Sequence, residues 1–399
     1  MANGTEFFFS YHCSIVAIQQ CTFCSADRQP RWCLDYFDQK CTASGRTYFV
    51  NFLKKNLPSI AQHTDMAFTA DSITSPKGIA ALIGGGIATA VVLKRILTPN
   101  NEEKEIPVAP PGSKFVKLPK SNATLRYIDN EESSSSVTFV LIHGFAGVSE
   151  TWELLTPHLK NHRVVALDLV GSGFSDKPLE GFDYSYRTQG KVVSEFISLL
   201  GLKKTVLVGH SSGTVVAASA ALQTPEVVGV VFIANALFRL KSAMFSKAWL
   251  KPLFGWMVQK MMADRKSSLA RMHRPDYVLT DSFVEKFAAP TRLPNFHEAL
   301  LEGIMVEEAP YEDLVDELLS TPKPLPLLFV YGKDDTYKPT PEEQKEVIQQ
   351  KLDAMDAKTK EQQCLVIGEL EKCHHYAQHE RPEALAKEIL GYVEKNITL

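Results

Sequence analysis

The pentapeptide Gly209-His210-Ser211-Ser212-Gly213 follows the apolar run Thr205–Val208 and leads into the small-residue segment Val215–Leu222. A GxSxG between a strand and a helix makes a sharp turn that presents the serine hydroxyl, and glycines flank it because the strained backbone leaves no room for side chains. A serine in an ordinary tight turn is the plain alternative, but such a turn needs neither the strand before it nor the helix after it. A serine hydroxyl is a weak nucleophile at neutral pH. It needs an imidazole to take its proton and a carboxylate to orient that imidazole, and the chemistry that results is acyl transfer.

The elements that must position these groups can be read from hydrophobic texture. Short apolar runs at Val137–Ile142, Arg163–Leu169, Thr205–Val208, Val227–Ala234, Leu325–Tyr331 and Cys364–Ile367 alternate with helical stretches. Continuous apolar strands separated by helices predict a mostly parallel central sheet with helices on both faces, an α/β fold. A hairpin, Lys114–Leu118 with Ala123–Ile128, is expected to supply antiparallel edge strands. Between the sixth strand and the seventh, residues 238–319 are too long for a loop and read as mostly helical, a cap inserted after strand 6. Within it Leu250, Leu253, Met257 and Met261 recur at spacings of three and four, an apolar helix face that either lines a pocket or packs on the domain. Methionine-rich surfaces adapt to varied apolar ligands.

Together these features resemble the α/β-hydrolase fold family, in its serine esterase and lipase branch, over about residues 114–393. His143, Gly144 and Phe145 stand where the family carries its oxyanion loop; Asp168, Gly171, Gly173 and Ser175 are similar to its DxxGxGxS turn; and Glu380, Arg381 and Pro382 are similar to its ERP segment. The resemblance implies the order serine, acid, histidine. The family's GxxDxxxP pattern, laid on Gly332 to Pro339, selects Asp335, with Asp334 as the neighbouring alternative. Counting back from Glu380 selects His375, with His374 as its alternative, since the family normally has glycine at that place. The implied oxyanion hole is the backbone N–H of Phe145 and of Ser212. His143 and His210 are expected to be structural. The expected function is a serine hydrolase that cleaves a lipophilic carboxylic ester through Ser211, His375 and Asp335, with no metal or organic cofactor. A thioesterase or carbon-carbon bond hydrolase of the same fold, or a non-catalytic ligand-binding member, are the alternatives. Serine at the nucleophile position argues against epoxide hydrolases and haloalkane dehalogenases, which use aspartate there.

Composition bounds the rest. The chain has 399 residues, 45% hydrophobic and 22% charged, an ordinary globular balance. With 43 basic and 46 acidic residues it has no positive surplus for a nucleic-acid backbone, so no nucleic-acid partner is expected. Residues 1–77 lack a sustained period and read as poorly ordered; Met66 is an alternative start. Five of the seven cysteines lie there, and the Cys21/Cys24 pair lacks the second close pair of a zinc site. Gly78–Leu93, inside 78–95, is 16 residues without a charge between Lys77 and Lys94-Arg95. As a helix it is roughly 24 Å long, short of the ~20 residues usually needed to span, but with lysines at both ends to extend its reach it is expected to anchor the protein to a membrane, the catalytic domain facing the cytosol; a Gly-rich loop or a buried helix is the alternative. Residues 96–113, with four prolines and a charged run, read as a linker before the hydrolase domain at 114–399.

Overall fold

A computed structural model of the chain describes residues 105–132, 136–159, 161–238, 247–306, 311–321, 325–355 and 364–397. The strands are β1 (Lys114–Leu118), β2 (Ala123–Asp129), β3 (Thr138–Ile142), β4 (Arg163–Leu167), β5 (Thr205–His210), β6 (Val227–Ile233), β7 (Leu327–Gly332) and β8 (Leu365–Leu370). They form one eight-stranded sheet in the order β1-β2-β4-β3-β5-β6-β7-β8. The β1/β2 hairpin pairs antiparallel to β4, and every pair from β4 through β8 is parallel. This is the expected α/β architecture, its helices on both faces.

Alternation along β3 shows how the core is divided. Val140 and Ile142 face one cluster, packed with Val192, Phe196 and Val215 from α1 (Tyr186–Leu199) and α2 (Gly213–Ala221). Phe139 and Leu141 face the other, with Leu385, Ile389 and Val393 from the C-terminal helix Pro382–Asn396. Both faces of each central strand are therefore buried, which is why β3 to β7 read as unbroken apolar runs rather than alternating ones. β8 lies at the sheet edge and alternates buried with exposed residues, so its apolar signal stops at Ile367 while the strand runs on to Leu370.

After β6 come α3 (Lys251–Ala263), α4 (Arg265–Ala270), α5 (Asp281–Ala288), α6 (Phe296–Met305) and α7 (Glu312–Leu319). The first four pack largely on one another, Phe254 with Leu301 and Val258 and Met262 with Phe296, while Ala299 of α6 reaches the main sheet cluster. α7 differs: Leu314, Val315, Leu318 and Leu319 belong to the main sheet cluster. The buried stripe of α3 is Phe254, Val258 and Met262, whereas Leu253 and Met257 point outward. The stripe is thus offset from the one expected, because two helical faces were apolar and the partner helix α6 decided between them. α8 (Pro341–Asp353), α9 (Ala377–Glu380) and α10 (Pro382–Asn396) complete the chain. α8 begins at a capping box in which the Thr340 hydroxyl accepts from Glu343 N–H and the Glu343 carboxylate accepts from Thr340 N–H.

Among the described residues no helix is long and apolar enough to cross a membrane. The expected membrane-associated location, with its cytosol-facing catalytic domain, is corrected accordingly. The physical reason is length, since the roughly 24 Å of a 16-residue helix falls short of a hydrocarbon core about 30 Å thick. Gly78–Leu93 itself, the cysteines of the first 41 residues and Met66 lie outside the described residues.

Candidate active site

Ser211 ends the turn from β5 into α2 with φ +51°, a left-handed conformation that is costly for a residue with a side chain. The surroundings hold it there. Its N–H donates to Ile233 O (2.9 Å), and its carbonyl accepts from Thr214 N–H (3.0 Å) and from the Thr214 hydroxyl (2.5 Å). A Cβ on Gly209 would run into the backbone of Gly213 and Thr214, and one on Gly213 into the carbonyls of Ile142 and His143. The two glycines are therefore a steric requirement of packing α2 against the ends of β3 and β5.

His375 lies in the loop between β8 and α9. Its Nε2 stands 3.0 Å from Ser211 Oγ and its Nδ1 2.8 Å from Asp335 Oδ2. The three side chains come from the ends of β5, β7 and β8 and are buried. Asp335 Oδ1 accepts from Tyr337 N–H (2.9 Å), so both carboxylate oxygens are engaged. The neighbours fall elsewhere. Asp334 is exposed, and His374 meets this part of the fold through its backbone N–H, which donates to Glu380 Oε2 (3.0 Å). Adjacent residues separate because the β7 loop turns sharply, with Asp335 N–H returning to Gly332 O and Asp334 N–H to Cys373 O.

Two residues without an expected role support His375. His210 donates from Nε2 to the His375 carbonyl (2.9 Å), which fastens the histidine loop to the serine turn. Tyr337 stacks on the His375 ring at 4.8 Å. No sequence motif marks Tyr337.

The loop after β3 carries Phe145. His143 is fully buried, its Nε2 accepting from Leu169 N–H (3.1 Å) and its Nδ1 at 2.8 Å from Gly144 O. That pattern requires the neutral ring, and burial lowers its pKa below the ordinary histidine value. Asp168 ties the same loop from the next strand: Oδ1 accepts from Ser149 N–H and Oγ (both 2.6 Å) and Oδ2 from Phe174 N–H (2.8 Å). A Cβ at Gly173, whose φ is +49°, would overlap that carboxylate, which explains the glycine of the DxxGxGxS turn. Behind it Arg126, fully buried, donates to Glu150 at 2.6 and 2.9 Å and to Asp168 at 3.4 Å. The backbone N–H groups of Phe145 and Ser212 have no protein acceptor among the described residues. Both residues line a cavity of about 50 Å³ together with Leu169, Val170, Tyr184 and Leu300. Ligand pockets usually measure roughly 300–1,000 Å³, so a substrate of ordinary size fits only if the capping helices shift. A larger cleft of about 460 Å³, beside Phe115, Lys177 and Leu293, contains none of the expected site residues.

The capping helices meet the histidine loop through aromatic stacking. Tyr376 packs against both His273 and His379, with ring centroids at 4.6 and 4.7 Å, and the two histidines also touch each other, His273 Nε2 standing 2.9 Å from His379 Nδ1. Among the described residues no cluster of histidine, cysteine and carboxylate side chains is arranged to hold a metal ion.

The sequence pattern of the alpha/beta hydrolase fold matches residues 137–382. Among curated proteins, the chain is 29% identical over 174 residues to a putative 2-succinyl-6-hydroxy-2,4-cyclohexadiene-1-carboxylate synthase of Bacillus subtilis, covering 44% of this chain and 57% of that protein. It is 24% identical over 273 residues to the uncharacterized hydrolase YugF of the same organism, covering 67% of this chain and 94% of the relative. Among solved structures, a membrane phospholipase A described as a bacterial virulence factor superposes with a TM-score of 0.55 at 21% identity, covering 80% of this chain and 97% of that one. The serine hydrolase CarC of carbazole degradation superposes at 0.54 and 18% identity, covering 71% and 98%. At such identities the superpositions speak for the fold alone.

Proposed function

This chain belongs to the alpha/beta hydrolase fold family, and from that premise we propose that it is a serine hydrolase cleaving a lipophilic carboxylic ester through Ser211, His375 and Asp335. The observation that carries the reading is the continuous hydrogen-bonded row from Ser211 Oγ to His375 Nε2 (3.0 Å) and from His375 Nδ1 to Asp335 Oδ2 (2.8 Å). His375 accepts the Ser211 proton as Oγ attacks the ester carbonyl, then returns it to the departing alkoxide. Water, deprotonated by the same ring, hydrolyses the acyl-enzyme. Asp335 fixes the tautomer with Nε2 free to accept and stabilises the imidazolium as it forms. The oxyanion is received by the N–H groups of Phe145 and Ser212, which costs no reorganisation because their loops are already held by Asp168, His143 and Thr214. An apolar cavity lining at Leu169, Val170 and Leu300 supports a lipophilic substrate.

The test compares wild type with Ser211→Ala for fluorophosphonate labelling and for hydrolysis of p-nitrophenyl esters of increasing acyl length. Labelling and turnover are expected in wild type and are expected to vanish in the variant. A folded wild type that neither labels nor turns over any ester overturns the proposal.

A further inference from the structure

Arg265, at the start of α4, is a cation without a counterion among the described residues. It is 7% exposed, its Nη2 donates to Ala146 O at 2.9 Å, and its Nε is buried with no hydrogen-bond partner. Among the described residues no carboxylate pairs with it. The adjacent Asp264 turns away to cap its own helix, accepting from Ser267 N–H at 3.0 Å. The side chains packed around Ala146 are apolar: Val258, Met262, Phe296 and Leu300. Burial lowers the pKa of the guanidinium from its ordinary value, and the group that counters this is the Tyr376 phenol. Arginine nevertheless stays charged in proteins. A charge taken out of water with no partner is strongly disfavoured, and such groups are normally paired. The contrast within this molecule is direct, since the equally buried Arg126 is met by two carboxylates.

The position of the unpaired cation is as informative as its state. Ala146, the residue whose carbonyl it holds, has φ +50° and directly follows Phe145, and it lines the 50 Å³ cavity with Phe145 and Ser212. Tyr376 directly follows His375. Arg265 therefore reaches from the capping helices to the stretch of chain that carries one expected oxyanion donor, and its electrostatic neighbour is joined to the base.

We propose that Arg265 is a specificity-determining residue that pairs with a carboxylate on the substrate, so that the preferred ester carries an anionic group as well as an apolar part. A carboxylate matches the guanidinium edge with two oxygens at once, which fits a group whose Nε still lacks a partner. The inference rests on the hydrolase reading and narrows its substrate class.

The full chain is compared with Arg265→Gln and Arg265→Lys on two p-nitrophenyl esters of similar length, the neutral valerate and the anionic hemiglutarate. Wild type is expected to favour the hemiglutarate by at least 10-fold in kcat/KM, mostly through KM. Arg265→Gln is expected to lose at least 10-fold on the hemiglutarate and less than 3-fold on the valerate, and Arg265→Lys to recover part of the loss. Equal losses on both esters assign Arg265 to bracing Ala146 alone and overturn the proposal, as does a wild type without preference. A second readout is independent of turnover. Glutarate is expected to raise the thermal midpoint of wild type and of Ser211→Ala, and not of Arg265→Gln; no shift in wild type overturns the proposal. If Ser211 fails to label while glutarate still shifts the midpoint through Arg265, the hydrolase reading falls and the anion site stands.

Discussion

The buried pair Arg126–Glu150 gives a prediction whose size can be worked out. Glu150→Ala removes the hydrogen bonds of 2.6 and 2.9 Å and leaves the fully buried guanidinium with Ser113 Oγ at 2.9 Å and Asp168 at 3.4 Å. Removing one partner of a buried ion pair costs about 3–5 kcal/mol because the remaining charge is stranded. For a domain of this size each kcal/mol shifts the thermal midpoint by roughly 2–4 °C, so a fall of about 6–20 °C is expected. The double variant Arg126→Met with Glu150→Leu removes both charges, and apolar replacement of a buried pair is often close to neutral. Asp168 is left with its three donors from Ser149 and Phe174, so the loop after β3 keeps its anchor. The double variant is therefore expected within about 2 kcal/mol of wild type and well above its component single variants Arg126→Met and Glu150→Leu, a strongly non-additive cycle. Denaturant unfolding followed by circular dichroism measures all four species. A Glu150→Ala midpoint within 2 °C of wild type, or single-variant losses that simply add, would refute the reasoning that a stranded charge dominates.

Two further outcomes follow from the same geometry. Asp335→Asn is expected to lower kcat by about 10⁴-fold, since the ring then loses the carboxylate that fixes its tautomer, whereas Asp334→Asn, at an exposed position, should stay within about 2-fold; steady-state kinetics on one ester decides, and comparable losses would undo the choice between them. For pH, the depressed pKa of His143 means that the unfolded chain takes up its proton first, so the stability tied to the neutral ring is complete above about pH 6.5 and declines below it by about 1.4 kcal/mol per pH unit. Denaturant midpoints between pH 7.5 and 5.5 should show a steeper total slope, because burial also lowers the pKa of His273 and His379, and His143→Gln should reduce that total by close to one proton; an unchanged slope in the variant refutes the assignment.

What the sequence disclosed and what it withheld divide along physical lines. β3, β5, β6 and β7 were legible because strands buried on both faces must be apolar throughout, and the serine turn was legible because only glycine fits at positions 209 and 213. The family's motifs near the ends of β7 and β8 then pointed to Asp335 and His375, with Asp334 and His374 as alternatives, and the fold brings Asp335 and His375 to hydrogen-bond distance. Arg126 and Arg265 were not legible. Each is one arginine among many, and its meaning comes from contacts 24 and 119 residues away along the chain. The face of α3 was withheld for a related reason: Leu253 and Phe254 are both suitable for burial, and α6 chose.

The placement of α7 has a consequence for how far this protein can change. β6 and β7 run parallel in register from Val230↔Leu327 to Ile233↔Val330, so the chain must return from one end of the sheet to the other between them. α7 packs on the sheet cluster and makes that return by itself. Everything between residue 238 and Tyr311 is therefore a closed excursion whose two ends are already set by the sheet. The entropy of closing such an excursion depends only logarithmically on its length, so cutting it from about 70 residues to about 10 alters that entropy by about 1.7 kcal/mol. The closure entropy is thus nearly indifferent to the length threaded there, and what couples the segment to the strand ends is its few contacts, Ala299 in the sheet cluster and Arg265 on the Ala146 carbonyl among them.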